Sequence, residues 1–332
     1  MSGVVLYSVI SLTAMGAAFG FGLALAARRF AVERDERIEK IEDMLPGANC
    51  GGCGYAGCIG FARALVEGKA SPYDCAPGGI ETANAIAELL GLEKVEKTPS
   101  VAVVACRGGE RVPVKLEYDG VMTCKALALL ADNLRECSYG CIGLGTCVEV
   151  CPFDAISMVD GVAVVDDAKC TGCGMCVDAC PKGIIMLVPK TKKVRIACSS
   201  HDRGKAVKAI CDVGCIGCGI CAKNCPVGCI EMQDNLAVID YERCINCGIC
   251  AAKCPTKSIV DKVTTRPKVF IDNQCTGCGE CKKVCKFNAI EGEPGERHRV
   301  DRDKCIGCGL CLDVCPEKAI SVTGALGHQP DT

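Results

Sequence analysis

The sequence predicts an α+β chain in which a single N-terminal transmembrane helix precedes a string of small, cysteine-rich units. Three observations predict it. Residues 3–27 carry no charge and are mostly apolar. There are 33 cysteines in 332 residues, against six tyrosines, seven phenylalanines and no tryptophan. The spacing C-x2-C-x2-C-x3-C recurs five times after residue 169. So few aromatic side chains do not build a conventional core of this length, and units that bury little apolar area need disulfides or metals as staples. An odd cysteine count and clustered C-x-x-C runs argue against a disulfide framework. The formal charge of −2 excludes little, but no basic stripe or aromatic platform points to nucleic acid.

The apolar stretch "GVVLYSVISLTAMGAAFGFGLALAA" is long enough to span a bilayer core, which takes roughly 20 helical residues. Arg28 and Arg29 follow it, then Arg34, Arg37 and Lys40, and no basic residue precedes it. The positive-inside rule therefore predicts a single-pass protein of the cell membrane, N-terminus outside and the rest cytoplasmic. A cleaved signal peptide would need a basic n-region and a shorter apolar core. Gly16, Gly20 and Ala24 make a small-residue face of the kind that admits a neighbouring helix. Residues 1–28 are thus read as the membrane helix and 29–46 as a charged helical stalk, with Ile38, Ile41 and Leu45 at helical spacing.

The next unit, residues 47–92, holds Cys50, Cys53, Cys58 and Cys75. Three sulfurs crowd onto the glycine-rich loop "LPGANCGGCGYAGC", and the fourth returns after a helix expected at 59–67. Glycines permit the positive-φ turns that wrap a cluster and aim backbone N–H groups at it. A zinc site more often shows two separated cysteine pairs, so the spacing predicts a 4Fe–4S cluster.

The remainder is an internal repeat. Five runs keep the spacing: Cys170, Cys173, Cys176, Cys180; Cys215, Cys218, Cys221, Cys225; Cys244, Cys247, Cys250, Cys254; Cys275, Cys278, Cys281, Cys285; and Cys305, Cys308, Cys311, Cys315. A sixth, degenerate run has Cys141, Cys147 and Cys151, with Leu144 where a cysteine is expected. Short strands ending on Asp precede several runs, and a small residue plus Ile follows them. This spacing is the bacterial ferredoxin signature, in which the fourth cysteine of one run ligates the cluster of the other. The intervals between fourth cysteines pair 151 with 180, 225 with 254 and 285 with 315. The chain is accordingly divided into a linker with extra cysteines (93–136), ferredoxin module 1 (137–189), a second linker (190–212), module 2 (213–262), module 3 (263–322) and a flexible tail (323–332). The expected architecture is a four-cysteine 4Fe–4S domain followed by three tandem 2×(4Fe–4S) modules.

Leu144 leaves one cluster a ligand short. Cys137, just upstream in "CSYGC", is the expected replacement; the alternatives are a 3Fe–4S cluster or another use for the upstream cysteines. Cys106, Cys124, Cys198 and Cys211 are then left over, either as an eighth cluster or as buried thiols. Cys229 stands where other repeats have Ala155, Ser258, Ala289 or Ala319, and reads as a packed thiol. The expected complement is about seven 4Fe–4S clusters, with eight, or one 3Fe–4S among them, left open. Lys286 replaces the proline that follows the other fourth cysteines, which restores an N–H and adds a cation, so its cluster should have a raised potential.

No P-loop, dinucleotide fingerprint or nucleophile arrangement is present, so no flavin or NAD is expected on this chain and no catalytic residue is assigned. His201, His298 and His328 lie in polar contexts and are expected to be solvated. The basic stretch 190–195, "KTKKVR", is expected to be solvated surface, with attraction of an acidic redox partner as the alternative.

The order of elements, the "LPGANCGGCGYAGC" loop with Cys75, and "CSYGCIGLGTCVEVCPFDAI" resemble the B-subunit family of Rnf complexes over essentially the whole chain. Modules 2 and 3 depart from the shorter family members and resemble the extended form. The resemblance implies a subunit of a membrane-bound ferredoxin:NAD⁺ oxidoreductase that couples electron flow to Na⁺ or H⁺ translocation. It implies reduced soluble ferredoxin as a donor, and integral membrane and flavin- or NAD-binding subunits as partners. A polyferredoxin-like conduit of a membrane hydrogenase or other dehydrogenase shares this chemistry. A structural zinc scaffold is the reading from another class.

Overall fold

The computed structural model describes residues 2–29, 35–96, 98–264, 266 and 268–321. The tail assigned to 323–332, His328 and residues 30–34 of the stalk lie outside the described residues. Helix α1 (Ser2–Arg29) is one unbroken helix of 28 residues, about 42 Å at 1.5 Å per residue. From Leu6 on, its apolar side chains face outward; Phe19 is 68% exposed and Phe21 70%. No part of its most apolar stretch is covered by the rest of the chain, and it is long and apolar enough to cross a membrane. Arg28 and Arg29 close it, where cations suit the negative end of the helix dipole.

Helix α2 (Glu36–Met44) is started by Asp35, whose carboxylate accepts the Arg37 N–H at 2.9 Å. The stalk helix also packs. One face of α2 is charged and exposed, but Ile41 is wholly buried against Phe61 and Leu65 of α3 (Gly57–Val66) and Ile86 of α4 (Gly79–Leu89). A helix with an apolar stripe binds where that stripe is covered, so α2 belongs to the four-cysteine unit. Gly68 and Gly91, both with positive φ, end α3 and α4, letting Lys69 and Leu92 reach back to the carbonyls of Ala64 and Ala87 at 2.8 Å.

Twelve short strands follow among the described residues, all in two-stranded antiparallel ladders. In the first unit β1 (Ser100–Val104) and β4 (Ile185–Pro189) pair around the hairpin of β2 (Ile156–Val159) and β3 (Val162–Val165). In the second, β5 (Val194–Ile196) and β8 (Ile259–Asp261) pair around β6 (Ile230–Gln233) and β7 (Leu236–Ile239). In the third, β9 (Phe270–Ile271) and β12 (Ile320–Ser321) pair around β10 (Ile290–Glu291) and β11 (Arg299–Val300). The two segments read as linkers therefore supply β1 and β5. The reason lies in the ladder: the last strand of each unit needs a partner from before the first cysteine run. Each unit buries its own core of Val, Ile, Ala and cysteine side chains.

The strand-closing aspartates have a local role. Asp166, Asp240, Asp272 and Asp301 each accept the N–H two residues on, at 2.8 to 3.0 Å, turning the chain from strand into cysteine loop. Between units, the basic stretch turns inward, against the expectation of a solvated surface. Lys192 Nζ donates to the Cys244 carbonyl at 2.6 Å. Arg195, 3% exposed, donates to Asp167 of the first unit at 3.0 Å, and Lys193 and Lys262 close on the same carboxylate at 3.6 and 2.8 Å. Burial of Asp167 works against its charge, but the hydrogen bonds and charges of Arg195 and Lys262 prevail and push its carboxyl down to about 2.

Candidate metal centres

Each cysteine run is a loop with two positive-φ positions followed by a helix of one turn or slightly more. The second position is glycine in every run: Gly145, Gly174, Gly219, Gly248, Gly279 and Gly309. The first is glycine in five runs and Asn246 in the sixth, the residue that best tolerates this conformation after glycine. These turns point successive cysteines of one loop toward a common centre, and the fourth arrives from the pseudo-symmetric half. Cys151 lines one cavity with Cys170, Cys173 and Cys176. Cys254 lines another with Cys215, Cys218 and Cys221. Cys225 neighbours Cys244 and Cys247, Cys285 neighbours Cys305 and Cys308, and Cys315 neighbours Cys281. Burial pushes Cys176 and Cys221 up to about 11 and Cys250 and Cys311 up to about 12. Such thiols keep their protons near neutrality unless a cation displaces them.

In the four-cysteine unit, Asn49, itself at φ 46°, accepts the Cys58 N–H at 2.8 Å. A side chain on Gly57 would collide with that Asn49 oxygen, so the residue before Cys58 must be glycine. Cys75 closes the set: burial raises its thiol, the Gly78 N–H lowers it, and the Cys53, Cys58 and Cys50 sulfurs raise it further. Gly52 meets the next set directly, since a carbon placed on it would lie 2.7 Å from the Cys173 carbonyl oxygen.

Beside Leu144 the fold places a different cysteine from the one expected. Cys141, Cys147 and Cys180 line one cavity with Cys124, not with Cys137. Cys147 is pushed up to about 12, by burial first and then by the sulfurs of Cys141, Cys124 and Cys180. Cys124 begins a five-residue helix capped by Thr123, and its N–H donates to the Thr146 hydroxyl at 2.8 Å, which ties it to the degenerate loop. Leu144 packs into the small apolar cluster of Cys124, Leu127 and Ile142. Cys137, in contrast, faces a different cavity together with Cys106, Cys198 and Cys211. Only the folded insertion brings Cys124 here, because it lies well upstream of the loop it packs beside. Asn133, 1% exposed, carries no signal in the sequence; its amide holds the 137–140 turn through the carbonyls of Cys137 and Gly140 at 2.9 and 3.0 Å.

Two side chains at one repeat position touch fourth-cysteine sulfurs. Ser258 Oγ lies 3.3 Å from Cys254 Sγ, and Cys229 Sγ lies 3.5 Å from Cys225 Sγ. Burial raises Cys254, yet the Ser258 hydroxyl leads a set of hydrogen bonds that leaves it lowered. Cys229 is 3% exposed within the second core, and burial pushes its thiol far up. His298 corrects another expectation. It is 1% exposed, with Nδ1 3.9 Å from Cys275 Sγ. Lys286 is exposed, as a surface lysine should be.

The donor sets suit iron–sulfur cubanes. They are all-thiolate, on loops rich in N–H groups, and among the described residues no group of three or more His, Cys, Asp or Glu is arranged to hold a single metal ion. A tetrahedral zinc would need its four sulfurs each at about 2.3 Å, a much tighter convergence than a four-iron cube requires.

Comparisons with known proteins agree with these loops. Residues 45–77 match a family of Fe-S cluster domains. Residues 140–184, 214–258 and 269–322 match families described as "4Fe-4S dicluster domain", and so do residues 169–230 across the first two units. The B subunit of the ion-translocating oxidoreductase complex of Methanosarcina acetivorans is 46% identical over 88% of this chain and 99% of its own length. The B subunit of the Na(+)-translocating ferredoxin:NAD(+) oxidoreductase complex of Acetobacterium woodii is 42% identical over 88% of this chain and 79% of its own length. The proton-translocating counterpart from Clostridium ljungdahlii is 43% identical over 71% of this chain and 84% of its own length.

Proposed function

Because the chain belongs to the B-subunit family of ion-translocating ferredoxin:NAD⁺ oxidoreductase (Rnf) complexes, we propose that it is the complex's multi-cluster electron conduit. On this reading, reduced soluble ferredoxin docks on the distal units, and the four-cysteine unit delivers electrons to membrane-embedded subunits. Helix α1 crosses the cell membrane with its N-terminus outside, and the cysteine units lie in the cytoplasm. The units are three tandem 2×(4Fe–4S) modules, and the seven motif-derived clusters take Cys124 in place of Cys137.

The clusters, when bound, supply one-electron carriage. The protein's own residues supply the rest. Loop glycines and Asn246 set the sulfurs on each site, and backbone N–H groups and Ser258 tune them. Asp167, Arg195 and Lys192 hold adjacent units in register. One observation carries the reading: the sulfur sets of neighbouring units approach each other at both ends of the array, between the four-cysteine unit and the first unit and between the second unit and the third. Cys173 meets the Cys50 set through Gly52, and Cys247 has Cys308 of the next unit as its leading sulfur neighbour.

The test is to mix anaerobically purified full chain with reduced ferredoxin and follow the broad visible absorption near roughly 400 nm that iron–thiolate sites give. Bleaching supports the reading, and a colourless preparation overturns it. In the assembled complex, Cys58→Ser should leave reduction by ferredoxin intact and stop delivery to the membrane subunits. Loss of ferredoxin oxidation instead would put ferredoxin docking at the membrane end.

A further inference from the structure

We propose that Cys106, Cys137, Cys198 and Cys211 ligate an additional 4Fe–4S cluster, lying between the first and second units and joining their cluster chains. The inference rests on the electron-conduit reading above. The four sulfurs come from separate segments. Cys106 follows β1, Cys137 lies in the insertion of the first unit, and Cys198 and Cys211 lie in that of the second. All four line one cavity, partly open to solvent. Cavities of the same kind lie at the motif-defined sites of Cys147, Cys215 and Cys151.

Two glycines border the space. A carbon placed on Gly140 would lie 3.5 Å from Cys137 Sγ and 3.7 Å from Cys106 Sγ. One placed on Gly108 would lie 3.6 Å from Cys211 Sγ and 3.9 Å from Cys106 Sγ. The two sulfurs of each pair are therefore no more than about 7.5 Å apart, a span within reach of a four-iron cube.

The sulfurs are dressed as ligands. Cys198 Sγ accepts the N–H groups of Cys215 at 3.2 Å and Ser200 at 3.5 Å. Cys137 accepts from Tyr139 and Gly140, and Cys211 from Val213. Burial raises the thiols of Cys137, Cys198 and Cys211, and each is raised further by sulfurs of the same set. The surrounding loops are braced across the two units: Ser199 Oγ donates to the Tyr139 carbonyl at 2.9 Å, and Arg107 to the Lys257 carbonyl at 3.0 Å.

Placement supplies the purpose. Cys141, a ligand of the first-unit cluster, also lines this cavity, and Cys198 bonds the amide of Cys215, a ligand of the second-unit cluster. On assembly each thiol gives its proton to solvent as its sulfur bonds iron. In operation one electron arrives and the same electron leaves, with no bond broken. With this site, every cysteine of the chain falls into one of eight fours except Cys229.

The test uses full-length chain, purified anaerobically, with iron and sulfide counted per chain. Wild type should carry roughly 32 irons, and Cys198→Ser, Cys211→Ser and the double variant should each carry roughly 28. The double variant distinguishes loss of one shared cluster from two separate losses. Cys229→Ser should keep the full count, and Cys198→Ser with Cys124→Ala should fall below either single variant. Should the variants fail to fold, native mass spectrometry of wild type decides between eight and seven cubanes. A wild type with roughly 28 irons, or with one zinc and seven cubanes, overturns this site but leaves the conduit reading standing; an iron-free chain overturns both.

Discussion

Asp167 holds the first two units together, and its replacement by asparagine isolates that contribution. The substitution keeps shape and removes charge. Arg195 Nη2 lies 2.9 Å from an Asp167 carboxylate oxygen; at an effective dielectric constant of about 20 the gross attraction is about 6 kcal/mol. Much of that is offset by desolvation. What the variant measures is the cost of leaving Arg195, 3% exposed, buried without its partner, about 3–5 kcal/mol. Lys193 and Lys262 are more exposed and can turn to water, so Lys262→Ala should cost less than about 1 kcal/mol. Hydrogen exchange on the holoprotein reads the effect. The Ala197 and Lys262 amides, bonded to the Ser258 and Lys193 carbonyls at 2.8 and 3.0 Å, should lose protection by roughly 10²- to 10⁴-fold in Asp167→Asn. The Asp240 amide, bonded to the Cys229 carbonyl at 2.8 Å in the neighbouring hairpin, should change far less. The wild-type effect should be flat between about pH 5 and 8. The folded carboxyl is depressed to about 2, so its stabilisation is present above the unfolded value of about 3.9 and fades only as pH falls toward 2. A loss of protection below tenfold at Ala197, or equal loss in Lys262→Ala, would show that the buried Arg195 does not depend on the Asp167 charge.

Four further outcomes are expected. Cys124→Ala should lower the iron count, and adding Leu144→Cys should restore it by recreating the ordinary run; the same addition to Cys137→Ala should restore nothing, and rescue there would return Cys137 to the degenerate site. Gly52→Val should push the four-cysteine unit off the Cys173 loop at a cost of about 1–3 kcal/mol, seen as weakened magnetic interaction between the two reduced clusters in EPR; an unchanged spectrum would count against that contact. Ser258→Ala removes the hydroxyl 3.3 Å from Cys254 Sγ and should lower the potential of that cluster, on the order of 59 mV or less, the tenfold value for one electron. Lys286→Pro should lower the potential of the cluster using Cys285, Cys305, Cys308 and Cys311 by a smaller amount, because the ammonium is exposed and screened; redox titration with no downward shift in either variant would discard the corresponding idea.

The division between what was legible and what was not follows from the range of the interactions. The membrane-length helix, the cysteine loops with their αL glycines, and the exchange of fourth cysteines are encoded within a few residues or in a fixed repeat. The sequence therefore determined them without help: only glycine or asparagine suits those turns, and only a second run at a set interval supplies the fourth sulfur. The partners of Cys124 and Cys137 have no such local mark. Both cysteines lie upstream of the same degenerate run, and which one reaches it depends on how the insertion between β1 and β2 folds over Leu127 and Asn133. The burial of His298 and the inward turn of Arg195 are likewise set by what packs over them. Spacing can specify contacts across one loop; contacts between loops separated by tens of residues were decided only by the tertiary structure, because apolar packing and buried polar bonds choose the approach and leave no periodic trace in the chain.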